Sequence, residues 1–223
     1  LKQNTILDLF AGSATLSGAI GGQSNFISND IQNYSSILSK TYLTSLKSEP
    51  EVAGDKILAE AKDVFLENLQ RSLVVDYSEP MTLEQFNFHE KEQQNLINEN
   101  FNYEYHLFAK NYSGTWWSYE QCVWIDAIKE VADRYKSSKF YPFILSALMY
   151  AMAYSSQGTG HYAQYRDAKT FKSMTDISIY RKKKLENIFV RKLSEILEYG
   201  RSKEEFNFKN QYLSLDYKDA LDS

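Results

Sequence analysis

The chain has 223 residues, 43% hydrophobic and 24% charged, with a net charge of −4, which excludes a disordered or fibrous chain and suffices for one domain with a sizeable core. Nine glycines and three prolines are too few for an all-β sandwich, and the single Cys122 excludes a disulfide framework or a cysteine-rich zinc site and fits a reducing, cytoplasmic setting. The longest apolar run, Phe140 to Tyr154, is shorter than the roughly 20 residues a membrane span needs, and no basic-then-apolar leader opens the sequence.

Thr5 to Phe10 reads as a short buried strand running into the small-residue turn Ala11-Gly12-Ser13-Ala14. Thr15 to Ile20 begins a helix that Gly21-Gly22 ends. Asn25 to Asp30 reads as a second strand with an acidic tip, and Tyr34 to Leu46 as a helix. Strand, tight turn, helix, strand is half of a doubly wound α/β fold. The middle is helical. Leu58, Ala61, Phe65 and Leu69 recur at helical spacing between Asp55 and about Leu73. Thr82 with Gln85, and Ser118 with Gln121, form capping boxes that open two further helices. The first carries Leu83, Phe86, Leu96 and Ile97; the second carries the stripe Gln121, Trp124, Ile128, Val131 and Tyr135, with Asp126 facing solvent. Pro142 starts an apolar helix through Tyr154. Ile177 to Tyr199 reads as one helix stopped by Gly200, and Gln211 to Asp216 as a third strand. The expected fold is therefore α/β, a partial three-stranded sheet (5–10, 25–29, 211–216) with a large, mostly helical insertion. The framework covers 1–50 and 205–223, and the insertion covers 51–204.

Charge is uneven. Residues 160 to 210 hold 12 Lys and Arg against 7 Asp and Glu, inside an otherwise acidic chain. Such a segment is either a phosphate-contacting surface or a solvated helix face. Arg166, Lys169, Lys172, Arg181 and Lys184 are its candidate contacts. Four consecutive cations at 181–184 point all round a helix, so at most two can face DNA together. His161 and Tyr162 lie in a glycine-rich aromatic stretch that either touches DNA or forms a structural loop. Trp116, Trp117 and Trp124 read as core.

The turn after the first strand carries the most chemistry. Gly12 lets a ligand approach the backbone, and the following helix aims its N–H groups at the strand's carboxyl end. Asp30, at the tip of the next strand, can accept two hydrogen bonds from ribose hydroxyls. This is the layout of a nucleoside site or of an ordinary tight βα turn.

Ile6-Leu-Asp-Leu-Phe-Ala-Gly-Ser-Ala-Thr15 resembles the S-adenosylmethionine motif Asp-x-Phe-x-Gly-x-Gly of the amino-methylating DNA methyltransferases. Ser28-Asn-Asp-Ile31 resembles the segment whose acid holds the cofactor ribose. Ser113-Gly-Thr-Trp-Trp-Ser-Tyr-Glu-Gln-Cys122, Trp124-Ile-Asp-Ala-Ile128 and Gly158-Thr-Gly-His-Tyr-Ala-Gln-Tyr165 look like stretches of DNA adenine methyltransferases. Ser214-Leu-Asp-Tyr217 sits where that family has an acid contacting the adenine, followed by an aromatic or apolar residue. The resemblance spans nearly the whole chain. It implies a Rossmann-like methyltransferase sheet, S-adenosyl-L-methionine as cofactor and double-stranded DNA as substrate. The cofactor residues it implies are Asp8, Phe10, Ala11, Gly12, Ser13, Ala14, Asp30, Ile31, Asp216 and Tyr217.

Two departures stand out. The motif's second glycine is Ala14. The family's catalytic tetrapeptide, Asp/Asn-Pro-Pro-Tyr/Phe, is absent, because Pro50, Pro80 and Pro142 are isolated. Its carboxylate or amide and a carbonyl accept the hydrogens of a weakly nucleophilic adenine amine, and its aromatic stacks on the flipped base. No catalytic residue is therefore expected here. The resemblance implies the cofactor-binding subunit of a split adenine-N6 methyltransferase, a hetero-oligomer whose partner carries that motif and covers the open edge of the first strand. A truncated enzyme, or a degenerate methyltransferase acting as a DNA- or partner-binding module, are the alternatives. Three scattered histidines, His89-Glu-Lys-Glu92 rather than His-Glu-x-x-His, and no Gly-Lys-Ser/Thr run set metal and P-loop chemistry aside.

Overall fold

The computed structural model describes residues 5–158, 164–205 and 208–222. They form an α/β structure with one open, all-parallel, three-stranded sheet in the order β1-β2-β3. The chain divides into two compact units. Unit one comprises 1–52, 135–147 and 193–223; unit two comprises 53–134 and 148–192.

In unit one, β1 (Thr5–Asp8), β2 (Asn25–Asn29) and β3 (Asn210–Leu213) carry helices α1 (Thr15–Ile20) and α2 (Asn33–Leu43) between them, and α10 (Tyr217–Asp222) follows β3. Thr5 pairs with Asn25 and Asp8 with Ser28; Phe26 pairs with Asn210 and Asn29 with Leu213. β1 is an edge strand whose outer row of backbone groups has no partner strand among the described residues, and Leu7 is 37% exposed. Small side chains bring α1 and α2 close to β2. Ser28 and Ser39 hydroxyls lie 2.6 Å apart, Ser17 donates to Ser39, and all three are buried. Such a buried hydroxyl chain is tolerated because its members satisfy one another.

Strand ends differ from the sequence reading. β1 stops at Asp8 rather than Phe10, because Ala11 N–H turns to bond Asn29 O at 2.9 Å. β3 runs from 210 to 213, and Asp216 instead caps α10, accepting from Lys218 N–H. Gly200 does not stop a helix. It lies inside α9 (Leu185–Ser202), where an added Cβ would come within 2.7 Å of Phe143.

Unit two is helical: α3 (Gly54–Asn68), α4 (Leu83–Gln94), α5 (Leu107–Tyr112), α6 (Tyr119–Arg134) and α8 (Phe171–Arg181), with parts of α7 (Tyr141–Ser155) and α9. Both expected capping boxes form, at Thr82–Gln85 and Ser118–Gln121. Leu96 and Ile97 fall beyond α4, in the 3-10 turn Asn95–Asn98. α3 ends at Asn68 instead of Leu73. The buried Tyr119 hydroxyl accepts from Gln70 N–H and donates to Asn68 O, capping that end from another helix. The single helix expected over 177–199 is two, α8 and α9, broken at Lys182–Lys184. Gln121 stabilises the break: its amide donates to Tyr180 O at 2.9 Å and Lys183 O at 2.8 Å. Phe65 stacks on Trp124 at 4.2 Å, which seats α3 on α6.

Asp126 is not the solvent-facing acid its place on α6 suggested. It is buried, and its carboxylate accepts from Phe108 and Ala109 N–H at the start of α5. Burial pushes its carboxyl up to about 6, with those two bonds opposing. The unfolded chain ionises near 3.8, so stability from this group is full below that pH and is lost as pH rises through about 6. The expected loss is about 3 kcal/mol across that window. Asp126→Asn should flatten the thermal midpoint between pH 4 and 6.5, as followed by circular dichroism.

Candidate functional site

Three loops converge at the carboxyl ends of the parallel strands, the place where open α/β sheets bind ligands. They are Leu9–Ala14 after β1, Asp30–Gln32 after β2 and Ser214–Asp216 after β3. One buried side chain, Asn29, holds the outer two loops. Its Nδ2 donates to Leu9 O at 3.2 Å and to Leu215 O at 3.1 Å, and its Oδ1 accepts from Leu215 N–H at 3.1 Å. Sequence reasoning did not assign Asn29 a role. The available signal was an amide at a strand end whose neighbours on both sides are also strand ends.

Asp30 ties the loops again. Its Oδ2 accepts from Gly12 N–H and its Oδ1 from Gln32 N–H, both at 2.9 Å. A carboxylate offers about four lone-pair sites, so each oxygen retains one for an incoming hydroxyl. Gly12 takes φ +51°, and the space where a Cβ would stand is open, with Phe10 O the nearest atom at 3.9 Å. That bare surface is what a ligand pressed against backbone requires.

Ala14 occupies the left-handed region at φ 59°, with its methyl wholly buried. A non-glycine residue there carries roughly 1–2 kcal/mol of strain. Ala14 thus holds a conformation that favours glycine, against its own preference. Ala11 is buried beneath the loop. The Ser13 and Thr15 hydroxyls lie 2.9 Å apart at the surface.

Around this turn, apolar groups stand open to solvent. Phe10 is 72% exposed, Ile31 73% and Tyr217 42%, and the Phe10 and Tyr217 rings lie 5.8 Å apart, tilted by 42°. Asp8 ends β1, half-buried. Asp216 is exposed, with Oδ1 engaged by Lys218 N–H. The structure therefore brings together the nucleoside-site residues expected from both strand tips and the β3 loop.

The expected DNA contacts in unit two separate into different environments. His161 and Tyr162 lie outside the described residues. Lys169 and Lys172 are exposed. Arg166 pairs with Asp176 at 3.4 Å. Lys184, on the surface, stands 3.4 Å from Glu120. Arg181 does not belong with them. Its side chain is fully buried, its Nε reaches both Glu90 oxygens at 3.1 and 3.2 Å, and its Nη2 bonds Thr115 O at 2.8 Å. Tyr77 donates to Glu90 at 2.6 Å and receives Gln93 Nε2. Burial, then the Glu90 carboxylate, pushes the Tyr77 phenol well up, so it stays a donor. Arg181 is a structural cation because Glu90 takes the charge indoors.

No family model, curated protein or solved structure matches this chain. The strand-end loops thus carry the exposed apolar side chains Phe10, Ile31 and Tyr217 together with the Asp30 carboxylate and Gly12. Among the described residues, no group of three His, Cys, Asp or Glu side chains could hold a metal. Arg181→Leu should cost about 3–5 kcal/mol in denaturant unfolding, because it strands the Glu90 charge, whereas Lys169→Ala should change stability by less than about 0.5 kcal/mol.

Proposed function

We propose that this chain binds S-adenosylmethionine at the strand ends of unit one and serves a DNA adenine-N6 methyltransferase. The observation that carries the reading is the joint placement of Gly12, Asp30, Phe10, Ile31 and Tyr217 around one turn. The residues fit the group. The two remaining lone-pair sites of Asp30 suit two ribose hydroxyls, the exposed rings and Ile31 suit the adenine, and the open face of Gly12 suits the methionine end. Bound there, the cofactor supplies an electrophilic methyl on a sulfonium. The strand order β3-β2-β1, with ligand loops at the carboxyl ends, accords with the Rossmann-like methyltransferase sheet that the motifs resemble.

The chain's own part is binding and orientation. Asp30 fixes the ribose, Asn29 fixes the loops that carry the adenine contacts, and Gly12 leaves room for close approach. Aligning methyl and acceptor is an orientation effect. The groups that accept the amine's hydrogens come from an Asp-Pro-Pro-Tyr-type segment outside these 223 residues. The free edge of β1 is where such a segment would continue the sheet. Exposed basic residues of unit two, Lys169 and Lys172 among them, supply contacts to double-stranded DNA.

Asp30→Ala should abolish S-adenosylmethionine binding measured by calorimetry, with the fold retained by circular dichroism; binding kept within a few-fold would remove the ribose assignment. Labelled methyl should reach DNA only when this chain is combined with a polypeptide bearing the tetrapeptide. Cofactor binding without transfer in that mixture would favour a non-catalytic binding module.

A further inference from the structure

Helix α8 buries one face and leaves another that the fold does not use. Met174, Ile177 and Arg181 point inward. Phe171 is 67% exposed and Ile179 57%, while Lys172, Thr175 and Lys182 are also exposed. At 3.6 residues per turn these five positions share an arc of about 100°. The arc contains no acid. The helix's single carboxylate, Asp176, lies outside it and pairs with Arg166. Neither Lys169, just before the helix, nor Lys172 has an ion-pair partner among the described residues. Lys182, at the far end, has Asp76 in its field.

The middle of the stripe offers no free hydrogen-bond donor. Thr175 commits its hydroxyl to Phe171 O at 3.0 Å, so phenyl, methyl and sec-butyl groups are what the face presents, with lysines at its margins. An 11-residue helix is about 16 Å long, and the major groove is roughly 12 Å wide. Within that groove the one apolar group on any base edge is the thymine C5-methyl, which aromatic and methyl side chains contact. Lysines flanking such a helix meet phosphates and set its register.

We infer that α8 seats in the major groove of duplex DNA, with Phe171, Thr175 and Ile179 against thymine methyl groups and Lys169 and Lys172 on the phosphates. The inference rests on the DNA-binding part of the proposed function and adds a recognition element to it.

The test is fluorescence anisotropy of the full chain with an alternating dA/dT duplex and with the same duplex carrying deoxyuridine for every thymidine. The two differ only in the C5-methyl. The thymidine duplex should bind more tightly, by about fourfold for each methyl the stripe covers. Phe171→Ser combined with Ile179→Ser should cut the difference to at most the roughly fourfold that the Thr175 methyl supports, and the exposed positions make loss of fold a readily checked control. Lys169→Gln with Lys172→Gln should keep the ratio but flatten the log–log salt slope by about 1.8. Equal binding to both duplexes overturns the inference, as does no binding to either at low salt. Competition by polyglutamate as effective as by DNA overturns it in favour of an acidic protein partner. Calorimetry with S-adenosylmethionine separates the two readings: discrimination between duplexes without cofactor binding leaves α8 standing and removes the methyltransferase role.

Discussion

Everything at the strand ends depends on the side-chain amide of Asn29. Parallel strands cannot be joined by tight hairpins, so the loops that leave them are held only by what they meet in space. Asn29 meets two of those loops at once, with three hydrogen bonds to Leu9 and Leu215. It is buried, so each bond is made where water cannot replace it. Asp30, the next residue, then reaches Gly12 from a fixed position. Two consecutive polar side chains, one inward and one at the rim, convert three separate chain crossings into one surface. The left-handed strain at Ala14 is held by the same surroundings, since Ala14 N–H also closes the turn onto Ala11 O at 2.7 Å.

Unit two uses a buried charge for a comparable purpose. Glu90 on α4 and Arg181 at the end of α8 meet with no access to solvent at the guanidinium. Tyr77 donates to Glu90 and the Thr115 carbonyl accepts from Arg181 Nη2, while the buried Arg181 Nη1 has no hydrogen-bond partner among the described residues. Removing water from two charges is costly, and the close contact of the pair with its added hydrogen bonds from Tyr77 and to Thr115 O offsets that cost. The pair also divides the basic run. Arg181 is withdrawn into the core, while Lys182 and Lys184 stay outside. Gln121 holds the carbonyls at this break. The same residue therefore serves as a helix-capping partner at its own end and as a clamp at a distant one.

These arrangements explain which readings of the sequence survive. The strand–turn–helix–strand pattern at 5–29 was legible because each element is short, apolar and bounded by small residues. Capping boxes were legible because they are local, three residues apart. The extent of α3 and the split between α8 and α9 were not, since each is decided by a side chain from elsewhere: Tyr119 in one case, Gln121 in the other. Glycine ends many helices, so Gly200 reads locally as a stop; its need is set by Phe143, which leaves no room for a side chain. Asp126 and Arg181 depart from the local pattern for one reason. A charged residue in a helix reads as exposed unless its partner is known, and the partners lie on α5 and α4.

By itself, then, the sequence determined the α/β class, the parallel relation of the first two strands, the turn at Gly12 and the acid that follows β2. All are matters of local period, small-residue turns and short spacing. Only the tertiary structure decided that Asn29 binds the loops together, that Asp30 grips Gly12, and that one arginine of a basic run is structural while its neighbouring lysines face solvent. Those outcomes depend on desolvation and on contacts between residues far apart in the chain, and neither is written in any local stretch of it.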